Sequence, residues 1–163
     1  MAQPNKIHHL EMPGYAAFRP ARGVAGLEVR ELVPPRPELN RRYYEQVGAD
    51  WQWTDRLSWS AEDWAEYACR PALHTYLGVL AGEEAGYFEL EEQAEGDVEI
   101  ALFGLLPGFI GKGLGGAFLS EAIDKAWALP GTRRVWVHTC TLDHENALAN
   151  YEKRGFRVFK VEG

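Results

Sequence analysis

The run Leu105-Leu-Pro-Gly-Phe-Ile-Gly-Lys-Gly-Leu-Gly-Gly116 places glycine at four of the six positions from 111 to 116, directly before a stretch with helical spacing. A strand that ends in glycines and then opens a helix gathers backbone N–H groups at the positive end of a helix dipole. That arrangement suits an anion, and phosphate above all. Side chains there would block close backbone approach and penalise left-handed conformations, so glycine is the residue the chemistry asks for. A glycine turn without a ligand is the plain alternative. Gly111-Lys-Gly113-Leu-Gly-Gly116 satisfies the literal dinucleotide pattern, but Val135-Trp-Val-His-Thr-Cys140 ends without the acid that would hold a ribose. A nucleoside-triphosphate loop needs Ser or Thr after its lysine, whereas Lys112 precedes Gly113. His138, Cys140 and His144 suggest a metal set, yet no fourth ligand or acidic helper accompanies them at a known spacing, and no metal is expected.

These residues need elements to hold them. Asp97 to Leu106 reads as a strand rich in branched and aromatic residues that runs into the glycines. Lys112 to Leu129 carries apolar residues at Leu114, Ala117, Phe118, Ala122 and Ala126, which predicts a helix stopped by Pro130-Gly131. Arg133 to Cys140 alternates as a strand, Asp143 to Arg154 reads as a helix capped by Gly155, and Phe156 to Val161 closes as a strand. Upstream, Leu73 to Ala81 and Gly86 to Glu91 form a hairpin pair. Glu38 to Ala68 predicts two short helices, the second capped by Ser60. Leu27 to Val33 is the first strand, and the proline-broken text before it reads as an irregular arm. The fold class is α/β (α+β), a mixed domain. Its aromatic segment Trp51 to Trp64 reads as core; lining a pocket, it would bring Asp50, Asp55 and Glu62 to a cationic amine.

The bulk properties narrow the partners. A chain of 163 residues with 46% hydrophobic and 25% charged content fits one soluble globular domain. A net charge of −7 argues against nucleic acid and suits an amine-bearing partner. No apolar run approaches the ~20 residues of a membrane span, and the N-terminus lacks a secretion signal, so the cytoplasm is expected. Cys69 and Cys140 are too few for a disulfide framework and are expected as thiols.

A second motif, Tyr151-Glu-Lys153-Arg-Gly155-Phe156, joins the first. Together, Leu105 to Leu119 and His138 to Phe159 resemble the GNAT superfamily of acyl-CoA-dependent N-acyltransferases. The resemblance implies a central mixed, mostly antiparallel sheet flanked by helices and splayed between the strands ending near Leu105 and Cys140. It implies acetyl-CoA as cosubstrate. The backbone amides of Gly111, Lys112, Gly113, Leu114, Gly115 and Gly116 would hold its pyrophosphate, and the Leu105 backbone would pair with pantetheine and the acyl carbonyl. Ile110 stands where the family has Arg or Gln, removing one side-chain contact and leaving the amide cradle. His144, Ala147 and Tyr151 share a helix face that would line the pantetheine groove, with His144 where many members carry Asn.

The implied reaction is direct attack of a neutral amine on the thioester in a ternary complex. Tyr151 is then the candidate acid for the leaving thiolate. Glu99, on the same strand as Leu105 and by period two on the same side, is the candidate base. The domain spans 1–163, with an arm at 1–26, an acceptor-side half at 27–96 and an acyl-CoA-binding half at 97–163. The acceptor is a small amine or a peptide amine, with neither nucleic acid nor membrane as partner. A non-catalytic acyl-CoA sensor is the alternative on the same fold. Members commonly add a strand after the one holding Gly155-Phe156, so a homodimer partner completing the sheet, or a shorter sheet, is expected.

Overall fold

A computed structural model describes residues 6–51, 53–140 and 146–163. Its elements are β1 (Ile7–Met12), β2 (Leu27–Glu31), α1 (Pro37–Gly48), α2 (Ala61–Ala68), β3 (Leu73–Leu80), β4 (Glu83–Glu92) and β5 (Asp97–Leu105). They continue as α3 (Gly115–Ala128), β6 (Arg134–Cys140), α4 (Ala147–Lys153) and β7 (Arg157–Glu162). The strands form one sheet in the order β2-β3-β4-β5-β6-β1-β7. All pairings are antiparallel except β5 with β6. Helices pack on both faces. Phe118, Leu119, Ala122 and Ile123 of α3 join Leu10, Phe88, Ile100 and Val137 in the main core, while Leu39, Tyr43 and Val47 of α1 pack with Tyr87 and Leu102 on the other face.

The N-terminal arm differs from its expected irregularity. Ile7–Met12 is a strand between β6 and β7, pairing Leu10 with Val137 on one side and with Val158 on the other. β7 therefore has β1 as its one neighbour and forms an outer edge of the sheet. Leu10 and Met12 are fully buried, so the arm contributes to the core as well as to the sheet. It then wraps toward α3, where the Ala21 N–H donates to Ser120 Oγ at 2.8 Å and the Arg19 N–H to the Arg154 carbonyl at 2.8 Å. Gly155 has a φ of 111°, and a Cβ there would collide with the Ala17 carbonyl; the glycine of the second motif lets the arm cross the end of α4.

A bulge reorients β5. Leu90 pairs with Ile100 and Glu89 with Leu102, leaving Ala101 without a counterpart. One extra residue exchanges the faces of every side chain beyond it. Val98 and Ile100 therefore share the α3 core with Phe103 and Leu105, while Leu102 packs toward α1 and Gly104 faces Val47 of α1. Glu99 pairs with Glu91 and Trp136 and lies on the α1 side of the sheet. The period-two expectation that Glu99 and Leu105 share a side is corrected by this bulge.

Candidate active site

β5 and β6 pair in parallel from Asp97 with Arg134 to Ile100 with Val137, and there the pairing stops although both strands continue. The sheet opens into a V whose vertex is the Ile100–Val137 pair. A cavity of about 1050 Å³ occupies this opening. One wall of it includes Leu105, Ile110, Gly111, Gly113, Leu114, Gly115, Gly116, Ala147 and Tyr151. All of these except Ile110 are among the site residues expected from the sequence. Lys112 is exposed and is absent from the wall; its Nζ lies 5.5 Å from the centre of the Phe109 ring. His144 lies outside the described residues, as do the first residues of the helix expected from Asp143.

The cradle is built from backbone. Gly111 and Gly113 have φ of 79° and 77°, values that L side chains resist. A Cβ at either would meet nothing within 4 Å, so backbone conformation alone calls for glycine and the loop's outer surface stays bare. α3 begins at Gly115, three residues later than expected, because these left-handed glycines keep Lys112 to Leu114 out of the helix. Its first i→i−4 bond beyond the cap is Phe118 N–H to the Leu114 carbonyl at 2.8 Å, so the N–H groups before Phe118 precede the intrahelical ladder. They can receive a diphosphate. Asn150 fixes the start of α3, donating its side-chain N–H to the Gly115 carbonyl at 3.2 Å. Asn150 lies off the helix face shared by His144, Ala147 and Tyr151, so helix periodicity alone does not mark it for this junction.

Family comparison settles what this geometry belongs to. The Acetyltransferase (GNAT) family matches residues 36–156. The chain is a member of that family. Among solved structures, a GCN5-related N-acetyltransferase from Sphaerobacter thermophilus superposes with a TM-score of 0.71 at 20% identity, covering 96% of this chain and 49% of that one. One from Kribbella flavida gives 0.68 at 17% identity, covering 96% and 55%. This GNAT chain thus spans about half the length of both. Spermidine N-acetyltransferase from Vibrio cholerae, solved with CoA and spermine, gives 0.66 at 17% identity with 82% of each chain covered. No curated protein matches by sequence.

The opposite wall of the GNAT cavity comes from the segment after α1. Tyr44, Trp51, Trp53, Asp55 and Arg56 line it, whereas Glu62 does not. Arg56 is held in an aromatic box, its guanidinium carbon 4.3 Å from the Tyr67 ring centre, 4.9 Å from Trp59 and 5.5 Å from Trp64. Its Nη1 donates to Glu89 at 3.3 Å, and Tyr67 donates its hydroxyl to the same carboxylate at 2.6 Å. Asn40 Nδ2 donates to the other Glu89 oxygen at 2.9 Å, so a fully buried carboxylate has partners at both oxygens. Burial is the largest influence on Arg56 and works against its charge, but Glu89 and Tyr67 together more than offset it, leaving the guanidinium above its ordinary pKa.

Tyr151 is 6% exposed, against Phe103 and Phe156 on the α3 side of the V. Glu99 does not line the cavity. His138 does, and its Nδ1 is 3.0 Å from Glu99 Oε2. The alternation of β6 placed His138 opposite Val137, but nothing in the sequence linked it to Glu99. Among the described residues no group of three or more His, Cys, Asp or Glu side chains could hold a metal ion, and no helix is long and apolar enough to cross a membrane.

Proposed function

We propose that this GNAT chain is an N-acetyltransferase that moves an acetyl group from acetyl-CoA to a primary amine by direct attack in a ternary complex. The observation that carries this reading is the glycine cradle at the mouth of a cavity running down the V between β5 and β6. A diphosphate on the Gly111–Gly116 amides would aim a slender thiol arm along α4, past Ala147, toward the vertex. The Leu105 backbone, on the β5 side of the opening, is the pairing partner for that arm. Residues 97–163 make up the acyl-CoA half and residues 27–96 the acceptor wall. Direct attack also calls for a proton donor to the departing thiolate, and the position of Tyr151, buried at the cavity wall, supports it as that donor.

The acceptor wall favours a cationic amine. Asp55 supplies negative charge, Trp51 and Trp53 supply aromatic faces, and the chain carries a net charge of −7. Polyamines, the ligand class named for the Vibrio cholerae structure, are therefore the first acceptors to assay. On β7, Val158, Phe159 and Val161 are exposed, which supports association with a second copy along that edge. Sedimentation velocity across a hundredfold concentration range tests this, and a monomer throughout removes it.

The deciding experiment pairs calorimetry of acetyl-CoA with free-thiol release over spermidine, aminoglycosides, amino acids and peptide N-termini. Binding with turnover is expected. Binding without turnover on any amine would favour the acyl-CoA sensor. In Tyr151→Phe, kcat should fall by about 10²-fold while acetyl-CoA affinity holds; an unchanged kcat removes Tyr151 as the acid.

A further inference from the structure

We infer that Arg154 is a further binding residue for acyl-CoA: from beside Gly116, its guanidinium supplies positive charge that holds the diphosphate on the glycine cradle. This rests on the acyl-CoA reading above and on no part of the transfer chemistry. Arg154 closes the C-terminal end of α4, and its backbone carbonyl accepts from the Arg19 N–H of the arm. Its side chain turns to the start of α3. A Cβ added to Gly116 would lie 3.4 Å from Arg154 Nη1, 3.2 Å from Ala21 Cβ and 3.7 Å from Asn150 Oδ1. The guanidinium therefore packs against the second residue of α3, where α4 and the arm meet it, and Gly116 itself lines the cavity.

That charge is sealed in without a counter-charge. Arg154 Nε and Nη1 are fully buried and meet no hydrogen-bond acceptor among the described residues. Arg56, Arg70 and Arg134 each meet a glutamate instead. A guanidinium keeps its charge inside proteins, and a buried one without partners is less stable than an apolar side chain of similar length. The start of α3 adds to the strain, because its free N–H groups carry positive partial charge. The carbonyl end of α4 opposes it, but α4 has only seven residues. A diphosphate on the cradle reverses the sign: Arg154 and the N–H groups then attract the same anion.

No other cation near the cradle is sheltered in this way. Lys153 lines the cavity and is exposed, Lys112 is exposed on the loop, and Arg19 and Arg22 are exposed on the arm. Water and salt screen these charges, whereas a buried charge acts through a weaker dielectric. The acids nearby are Glu152, exposed on α4, and Glu121 and Asp124, which lie farther along α3 beside the groove between that helix and the arm. None of them bonds to Arg154 Nε or Nη1.

The test compares the full wild-type chain with Arg154→Met, which keeps an unbranched apolar stem and drops the charge. Calorimetry should show CoA affinity falling about 10-fold, and by the same factor for 3′-dephospho-CoA, which retains the diphosphate. Without ligand, the urea midpoint of Arg154→Met should stand at or above that of the wild type, the opposite of what loss of a structural contact does. Arg154→Lys, which restores a charge without the fork, should bind CoA with an affinity between the two. Wild-type CoA affinity in Arg154→Met overturns the assignment. So does a loss seen with CoA and absent with 3′-dephospho-CoA, which would place Arg154 on the 3′-phosphate. An Arg154→Met chain that fails to fold, or unfolds at clearly lower urea, makes Arg154 a structural member and overturns the assignment whatever its affinity. A wild-type chain that binds no CoA removes the acyl-CoA reading itself, whereas failure to acetylate any amine bears on the transferase reading alone.

Discussion

The two walls of the cavity are built on opposite principles. The cradle at Gly111 to Gly116 works by leaving side chains out: left-handed glycines and a helix start present bare amides, and every part lies within six residues of sequence. The facing wall works by packing side chains in. Arg56, Glu89, Tyr67, Asn40, Trp59 and Trp64 come together from separate segments to neutralise one fully buried carboxylate. On the proposed function the first wall should carry little stability and much of the binding, and the second stability and the shape of the acceptor side. A local device survives changes elsewhere, whereas a network of desolvated charges fails when one member leaves.

The sharpest way to break this contrast is Glu89→Ala. It strands the Arg56 guanidinium, 14% exposed, without its counter-charge and should cost about 3–5 kcal/mol in urea unfolding. Adding Arg56→Met should recover part of that loss, because the apolar pair no longer buries an unmatched charge. A double variant less stable than Glu89→Ala would show that Arg56 is held by its aromatic box rather than by Glu89. Gly113→Val is the counterpart on the other wall. Acetyl-CoA affinity should fall about 100-fold by calorimetry, while stability drops only by the roughly 1–2 kcal/mol of a left-handed non-glycine residue. If Gly113→Val unfolds as readily as Glu89→Ala, the cradle is a structural element and the contrast fails.

The same contrast explains what could be read from sequence. The glycine loop and the Tyr151-to-Phe156 motif were legible because residue types recur there at short spacings, whereas the splayed strand pair followed only from the family resemblance those motifs carry. The glycines that announced the loop also delayed α3 to Gly115, since a left-handed φ at Gly113 cannot join a helix. β1 was missed because Ile7-His-His-Leu-Glu-Met12 alternates poorly and becomes a strand through its two neighbours, β6 and β7, both more than a hundred residues away in the chain. The bulge at Ala101 leaves no local signature, so period two carried Glu99 to the wrong face. Glu89 and its partners depend on contacts 22 to 49 residues apart, beyond the reach of periodicity.

A smaller effect tests how the box is held from below. α2 carries Trp64 and Tyr67 into it, and Ser60 closes the start of α2 with a reciprocal capping box: Asp63 N–H donates to Ser60 Oγ at 3.1 Å, and Ser60 N–H to Asp63 Oδ2 at 2.9 Å. Ser60→Ala should cost about 1 kcal/mol in urea unfolding. Because the rest of the box stays paired, the loss should be well below that of Glu89→Ala.

The smallest effect isolates burial itself, by setting the Glu89–Arg56 pair beside the same chemistry in a wetter place. Glu11 accepts from Arg134 Nε at 2.8 Å and from Arg157 Nη2 at 3.2 Å, tying β1 to β6 and β7 with side chains 18%, 25% and 68% exposed. The hydrogen bond from Arg134 holds the Glu11 carboxyl below its ordinary pKa, against a lesser opposing effect of burial. A carboxylate lowered on folding stabilises the fold above its unfolded pKa, and that contribution fades as pH falls through the folded value. Glu11→Gln should therefore be less stable than the wild type near neutral pH by no more than about 1 kcal/mol, with the gap closing as acid protonates Glu11. Urea midpoints of both proteins from about pH 7 to pH 3 measure the gap. A gap as large as that of Glu89→Ala would mean that the shorter Arg134 contact outweighs exposure, and that distance rather than desolvation sets the worth of these pairs.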